Sequence, residues 1–323
     1  MRNIDVVVIG GGPAGSAAAH RLTVSGAQVV VLDKEAFPRP KLCAGWITPE
    51  VVADLGLEVD RYPHSLHIFD RIHVNMQWVR RAFADIQYSI RRLEFDKWLL
   101  DRSGAEVIRH EVREIVRDGQ DFVIDGEYRC RNVIGAGGTS CPVRRILFEE
   151  APRARALQTV TLELEFPCEW KDPDCHLWFL DYGLPGYSWY VPKQRGWLNV
   201  GVGGMAARLK SRGESIWPHW QHLSARLNRL FGIRTPRDPT GYSFYVRGRQ
   251  EPGRVGNAYL TGDSLGLATR DLCEGIGPAI RSGQRAANSI VTGAAYELAD
   301  VASNSLGPGM VSRALDWYLT RGA

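Results

Sequence analysis

The sequence contains no run of about 18 uninterrupted apolar residues, so no segment is expected to span a bilayer as a helix. It also shows no low-complexity tracts and no internal repeats of the kind that build a solenoid. Cysteine is sparse and irregularly spaced, at Cys43, Cys130, Cys141, Cys168, Cys175 and Cys273. With no secretory leader pattern ahead of the first apolar run, these read as reduced thiols, and the expected location is cytoplasmic. Cys168, Cys175 and His176 have no partner pair at zinc-site spacing, so no metal is expected. The formal charge is only +4. Arg226, Arg229, Arg234, Arg237, Arg247, Arg249 and Arg254 thicken one stretch, but no nucleic-acid recognition motif accompanies them. A solvated face is their ordinary reading. An anionic headgroup or an acidic membrane surface, touched peripherally, is the sharper one.

What the chain does have is 323 residues of ordinary globular composition, 44% apolar and 24% charged, enough for two lobes. Its most informative stretch comes first. Ile4 to Ile9 is a nearly continuous apolar run, the pattern of a parallel strand buried on both faces. It leads into Gly10-Gly11-Gly12-Pro13-Ala14-Gly15, then an alanine-rich helix from Ser16 to Ser25 and a second strand from Gln28 ending at Asp33. This is a complete βαβ unit for holding a dinucleotide. Gly10 permits the tight turn, Gly12 lets backbone approach a pyrophosphate, and Gly15 allows close helix–strand packing. The helix N-terminus presents unpaired N–H groups to the phosphates, and Asp33 can accept bonds from the adenosine ribose hydroxyls.

The far end of the chain selects the dinucleotide. Asn257 to Thr261 reads as another buried strand, followed by Gly262-Asp263-Ser264-Leu265-Gly266. Glu274-Gly275-Ile276-Gly277 then opens a helix from Pro278 to Thr292. Asp263 can bond a ribityl chain. The helix beginning near Gly277 would aim its dipole at the N1–O2 edge of an isoalloxazine, where charge gathers on reduction. The expected cofactor is therefore FAD.

Together these residues resemble the FAD-dependent oxidoreductases of the para-hydroxybenzoate hydroxylase fold, and within them the geranylgeranyl reductase family. The likeness rests further on Phe37-Pro38-Arg39-Pro40-Lys41-Leu42-Cys43-Ala44-Gly45, similar to the family's PRxKxCxG loop beside the flavin ring. It rests also on Gly186-Tyr187-Ser188-Trp189-Tyr190-Val191-Pro192-Lys193 with Asn199-Val200-Gly201-Val202-Gly203, similar to its YxWxFPK…NVG segment at the substrate cavity. Arg92 matches a family arginine near the pyrophosphate and adenosine side. Gly137 stands where the superfamily commonly carries an aspartate linked to flavin and NAD(P)H handling. The resemblance implies cofactor contacts at Gly10, Gly12, Pro13, Ala14, Gly15, Asp33, Lys34, Lys41, Cys43, Ala44, Arg92, Gly137, Gly262, Asp263, Gly266, Gly275, Ile276 and Gly277. It implies catalytic roles for Cys43, Tyr187 and Trp189.

The expected fold is α/β, a discontinuous Rossmann-like FAD-binding domain with a second, antiparallel-sheet substrate domain. The first is expected over 1–50, 86–153 and 250–300. The second is expected over 51–85 and 154–249, with a short helical tail over 301–323. Leu157 to Phe166 (LQTVTLELEF) alternates with period two, predicting a half-exposed strand. Strands are also expected over Leu177 to Asp181, Tyr187 to Val191 and Trp197 to Val202, with Pro192 ending the second. A helix over Gly213 to Gly232 would place Trp217, Trp220 and Leu223 in the core.

The expected activity is reduction or dehydrogenation of carbon–carbon bonds in a hydrophobic, prenyl-like substrate by hydride transfer at flavin N5. The alternatives are a monooxygenase acting through a flavin C4a-hydroperoxide and a non-catalytic flavoprotein. A halogenase would carry WxWxIP, which Ser188-Trp189-Tyr190-Val191-Pro192 does not match. Only one dinucleotide fingerprint is present, so electrons are expected from transiently docked NAD(P)H or a ferredoxin-like protein.

Overall fold

The computed structural model describes residues 1–76, 79–148, 155–236, 238–248, 252–301 and 303–305. The expected tail over 301–323 lies outside the described residues apart from 301 and 303–305, and so do Arg237 and Arg249. In chain order the structure opens with β1 (Arg2–Ile9), α1 (Pro13–Val24), β2 (Val29–Asp33), β3 (Trp46–Ile47) and α2 (Pro49–Asp54). There follow β4 (Leu66–Met76), β5 (Val79–Ile90), α3 (Arg92–Arg102), β6 (Glu106–Arg109), β7 (Ile115–Asp118), β8 (Asp121–Ile124) and β9 (Tyr128–Gly135). Next come α4 (Pro142–Leu147), β10 (Gln158–Pro167), β11 (Cys175–Phe179), β12 (Gly186–Lys193) and β13 (Trp197–Met205). The remaining elements are α5 (Ala206–Ser211), α6 (Trp217–Phe231), β14 (Thr240–Tyr245), β15 (Arg254–Val255), β16 (Ala258–Leu260) and α7 (Ile276–Thr292).

These elements form two compact units. Among the described residues, one comprises 1–39, 95–148 and those from 245 on; the other comprises 40–94 and 155–244.

The first unit is built on a sheet ordered β15-β16-β9-β1-β2-β6, with β7 and β8 continuing antiparallel from β9. β1 pairs parallel with both β2 and β9, and β9 pairs parallel with β16. The valine run explains this placement. Val6 and Val8 join a core with Ala18, Ala19 and Leu22 of α1 and Ala286 and Ala287 of α7. Val7 and Ile9 join a separate core on the opposite face. A strand covered on both faces needs apolar residues at every position, which is what the run provides. The two helices approach closely because their facing residues are small: a Cβ added at Gly283 would collide with the Ala14 carbonyl.

The second unit is built on a sheet ordered β14-β10-β13-β12-β11-β4-β5-β3. Its central ladders β10/β13, β12/β13 and β11/β12 are antiparallel, and β11 runs parallel to β4. One face is a hydrophobic core: Phe166, Trp178, Tyr190, Leu198, Val200 and Val202 pack with Trp220, Leu223 and Leu227 of α6.

Three expectations are corrected here. LQTVTLELEF alternates as predicted, but its polar face is not solvated: Thr161 and Glu163 are 8% and 4% exposed. Period two reports that the two faces differ, and another segment covers the polar one. β12 does not end at Pro192, and runs on to Lys193. Its pairing with β11 spans only Tyr187 to Tyr190, so the missing proline N–H interrupts no ladder bond on that side. Trp217, expected in the core with Trp220 and Leu223, is 42% exposed at the first position of α6.

Candidate functional site

In the first unit the glycine turn is shaped by close backbone approach. Gly10 sits at φ +110°, and a Cβ there would strike the Ala136 carbonyl at the end of β9. A Cβ at Gly15 would strike the Gly10 carbonyl, so this glycine is required by helix–strand packing. Gly12 differs. It is the N-cap of α1, directly before Pro13 and Ala14 of the first turn, and a Cβ there would meet only the Arg39 Nη2, 3.6 Å away. The open space above Gly12 is therefore bounded by a guanidinium and a helix N-terminus, both suited to phosphate oxygens. Arg39 also lies 3.9 Å from the buried Asp96.

Asp33 is 7% exposed at the end of β2. Its Oδ2 accepts from the Gly11 N–H at 2.7 Å and its Oδ1 from the Glu35 N–H at 2.9 Å. Each carboxylate oxygen keeps a further lone pair for a ribose hydroxyl. Lys34, next in sequence, is exposed, and its carbonyl accepts from Arg109 Nε at 3.4 Å.

The C-terminal part of this unit adds a second glycine group. Gly262 (φ +55°) donates its N–H to Ser282 Oγ at 2.9 Å, and a Cβ would lie 3.1 Å from that of Ala279. Gly266 closes the short helical turn at φ +71°. Gly275 is the N-cap of α7, and a Cβ there would lie 3.5 Å from Asp263 Oδ1. The Asp263 carboxylate is thus held beside the N-terminal turn of α7, which Ile276 and Gly277 begin. Gly137 precedes the short turn Gly138–Ser140, where a Cβ would crowd the Cys141 backbone at 3.2 Å. The residues present fit FAD: side-chain-free backbone, a guanidinium and a helix N-terminus for the pyrophosphate, and acids for the ribose and ribityl hydroxyls.

In the second unit the segment around Cys43 covers the polar face of the sheet. Register places Glu163 of β10 opposite Gly201 of β13, and Trp189 of β12 opposite the same Gly201. The absent side chain makes room for the indole, since a Cβ on Gly201 would lie 2.6 Å from Trp189 Cε2. Trp189 Nε1 donates to Asn199 Oδ1 at 2.7 Å, and Asn199 Nδ2 donates to the Cys43 carbonyl at 3.3 Å. The buried Glu163 carboxylate accepts the Cys43 backbone N–H and bonds Asn199. Lys193 Nζ donates to the carbonyls of Ala44 and, at 2.8 Å, Ile90. Gly45 N–H donates to Cys43 Sγ at 3.3 Å, and Gly45 at φ +65° leaves the space that the Lys193 ammonium fills. Lys41 Nζ sits 3.4 Å from the centre of the Tyr242 ring, a cation–π contact.

The electrostatics follow from this burial. Desolvation pushes the Glu163 carboxyl up to about 7, with the Cys43 N–H, Lys193 and Asn199 pulling the other way. Desolvation likewise lowers Lys193, opposed by Glu165, Cys43 and Glu163. Glu165 in turn accepts from Arg91 Nε at 2.7 Å, whose guanidinium lies 3.6 Å from the Trp197 ring centre. Tyr187 and Trp189 share the strand face, with ring centroids 5.9 Å apart and Phe179 beyond Tyr187 at 5.0 Å. Arg92, 8% exposed, opens α3.

Within the first unit the structure therefore brings together the glycine turn, Asp33 and the Asp263 group. Within the second it brings together Cys43, Ala44 and Trp189. Glu163 was missed by reading the sequence. Lys193 and Asn199 were visible there only as members of a motif. The signal for Glu163 was its place on the polar positions of the alternating run Leu157 to Phe166, which read as a half-exposed strand.

A family model described as "FAD dependent oxidoreductase" matches residues 5–99, from within β1 through the Cys43 loop into α3. The chain is 28% identical to a menaquinone reductase of Mycobacterium tuberculosis, covering 88% of this chain and 75% of the relative. An uncharacterized protein of Methanosarcina barkeri is 30% identical over 90% of this chain and 75% of its own length. Digeranylgeranylglycerophospholipid reductase 1 of Methanopyrus kandleri is 31% identical, covering 62% of this chain and 57% of the relative. The fold is shared with a geranylgeranyl bacteriochlorophyll reductase-like protein of Thermoplasma acidophilum, at a TM-score of 0.75 and 20% identity over 90% of this chain and 78% of that one. The chain belongs to the FAD-dependent oxidoreductases, in the geranylgeranyl reductase family.

Proposed function

We propose that this flavoenzyme reduces, or in the opposite direction dehydrogenates, carbon–carbon bonds of a hydrophobic, prenyl-like molecule. The observation that carries the reading is the Cys43 segment clamped over a sheet face walled by Phe179, Tyr187 and Trp189. Relatives named for menaquinone and for digeranylgeranylglycerophospholipid support the substrate class. Bound FAD supplies hydride transfer at N5. The chain's own residues do the rest. Gly12, Arg39 and the start of α1 hold the pyrophosphate, Asp33 the ribose and Asp263 the ribityl chain. Trp189 spends its indole N–H on Asn199 and so offers substrate an apolar ring of fixed orientation. Tyr187 extends that wall. Cys43 delivers the proton to the alkene carbon that does not receive hydride.

The test uses FAD-loaded protein reduced with dithionite without oxygen, then mixed with menaquinone or with an unsaturated prenyl glycerolipid in detergent. Flavin reoxidation with a product two hydrogens heavier is the expected result. Oxygen insertion after admitting air, with no reoxidation by any prenyl alkene, would overturn it. Cys43→Ala is expected to lower kcat by on the order of 10²-fold at unchanged flavin content, the size of a lost general acid. NADH, NADPH and a reduced ferredoxin, supplied in place of dithionite, identify the electron donor.

A further inference from the structure

We propose that Glu163 is a positioning residue for the Cys43 segment, and that whether its carboxyl is charged or neutral sets how that segment is held. The inference rests on the reading of Cys43 as a site residue. It stands on a set of contacts confined to one strand face. Glu163 is 4% exposed, yet it is neither a core residue nor a surface one. Its carboxylate receives the Cys43 backbone N–H and bonds Asn199. Asn199 independently holds the Cys43 carbonyl and the Trp189 indole. Lys193, 0% exposed, holds the next carbonyl along, that of Ala44. Three side chains from three adjacent strands, β10, β12 and β13, thus grip the backbone of two consecutive residues.

Two of these three grips involve an ionisable group. As a carboxylate, Glu163 makes charge-assisted bonds and faces the Lys193 ammonium. As a neutral acid it keeps its acceptor oxygen and loses the charge assistance, which about halves the strength of such a bond. The groups that act on it come from every neighbouring element. They are Lys193 from β12, Asn199 from β13, Glu165 two positions along β10, and the Cys43 backbone from the covering loop. Arg91, at the end of β5, offsets Glu165 by their direct ion pair. On the flank of β10, β14 contributes Tyr242, which carries Lys41 on its ring. Burial places the Glu163 transition at about 7. The positioning contact therefore changes character across neutral pH, and glutamate is suited to this where glutamine is not.

The experiment reads Cys43 itself. FAD-loaded protein is alkylated with iodoacetamide at a series of pH values, and the rate at Cys43 is followed by peptide mass spectrometry. Mapping separates it from the half-buried Cys168 and Cys273. The wild type is expected to show an inflection near pH 7 on top of the slope that thiolate ionisation gives any cysteine. Glu163→Gln is expected to abolish that inflection. Lys193→Met, which removes the facing cation, is expected to move it upward by about one pH unit or more. Thermal unfolding of each FAD-loaded variant confirms the folded state. An inflection that survives unchanged in Glu163→Gln, or that stays in place in Lys193→Met, would overturn the proposal. Turnover retained in Cys43→Ala would instead remove Cys43 from the chemistry and leave the alkylation result standing, so the two failures are separable.

Discussion

Glu163 and Lys193 share an enclosure that is neither water nor hydrocarbon, and the consequence is measurable as stability. The carboxyl titrates at about 7 in the folded protein against an ordinary 4.5. The folded state therefore holds this proton more tightly than the unfolded state. Its contribution to stability is complete below the unfolded value and is lost as pH rises through about 7. We expect the unfolding free energy of the wild type, relative to Glu163→Gln, to fall by up to about 3 kcal/mol between pH 4.5 and 8. Urea titrations of the two proteins at matched pH check this, and a constant difference would refute it. Residues of this kind were the least legible in the sequence. Glycines and Asp33 announce themselves because a tight turn admits few alternatives. A glutamate in a strand gives the same period-two signal whether water or a loop lies over it.

At the scale of elements, the β1–α1 turn separates two roles that the sequence presents side by side. Gly15 abuts backbone, whereas Gly12 abuts only the end of a flexible arginine. Gly12→Val is expected to fold and to lose bound FAD, read as a flavin absorbance ratio below one tenth of wild type. Gly15→Val is expected to destabilise the apoprotein itself, lowering its thermal midpoint before any cofactor is considered. Equal apoprotein midpoints would show the packing argument to be wrong. On the other sheet, Leu227 of α6 is fully buried against Leu198 and Val200, and Leu227→Ala should cost about 2–5 kcal/mol. The valine run of β1, the helix after it and the aromatic β12 were legible, because periodicity and turn chemistry are local properties. The fate of a strand's second face was not, because it depends on a segment more than a hundred residues away in the chain.

At the scale of the molecule, the described residues of the first unit come from three separate lengths of chain and those of the second from two, so neither can close before a segment of the other has been synthesised. β16, the strand beside β9, and α7, which packs on α1, both arrive after residue 250. A fragment ending at residue 153 is therefore expected to show no cooperative unfolding, measured by circular dichroism in urea, although it contains the whole glycine turn. The order of motifs led to the expectation of two interleaved domains; the pairing of distant strands was not readable, since nothing local encodes it. One feature of the second sheet reaches further. Along β12 successive residues face opposite ways: Trp189, Val191 and Lys193 toward the Cys43 loop, Tyr190 toward α6. Under the proposed function, reactivity and durability are thereby written on alternate letters of the same word. Substrate preference can drift by point replacement at every second position while the scaffold is left untouched. A single inserted or deleted residue exchanges the two scripts at once, and lineages descending from this chain should vary in spelling there but not in length.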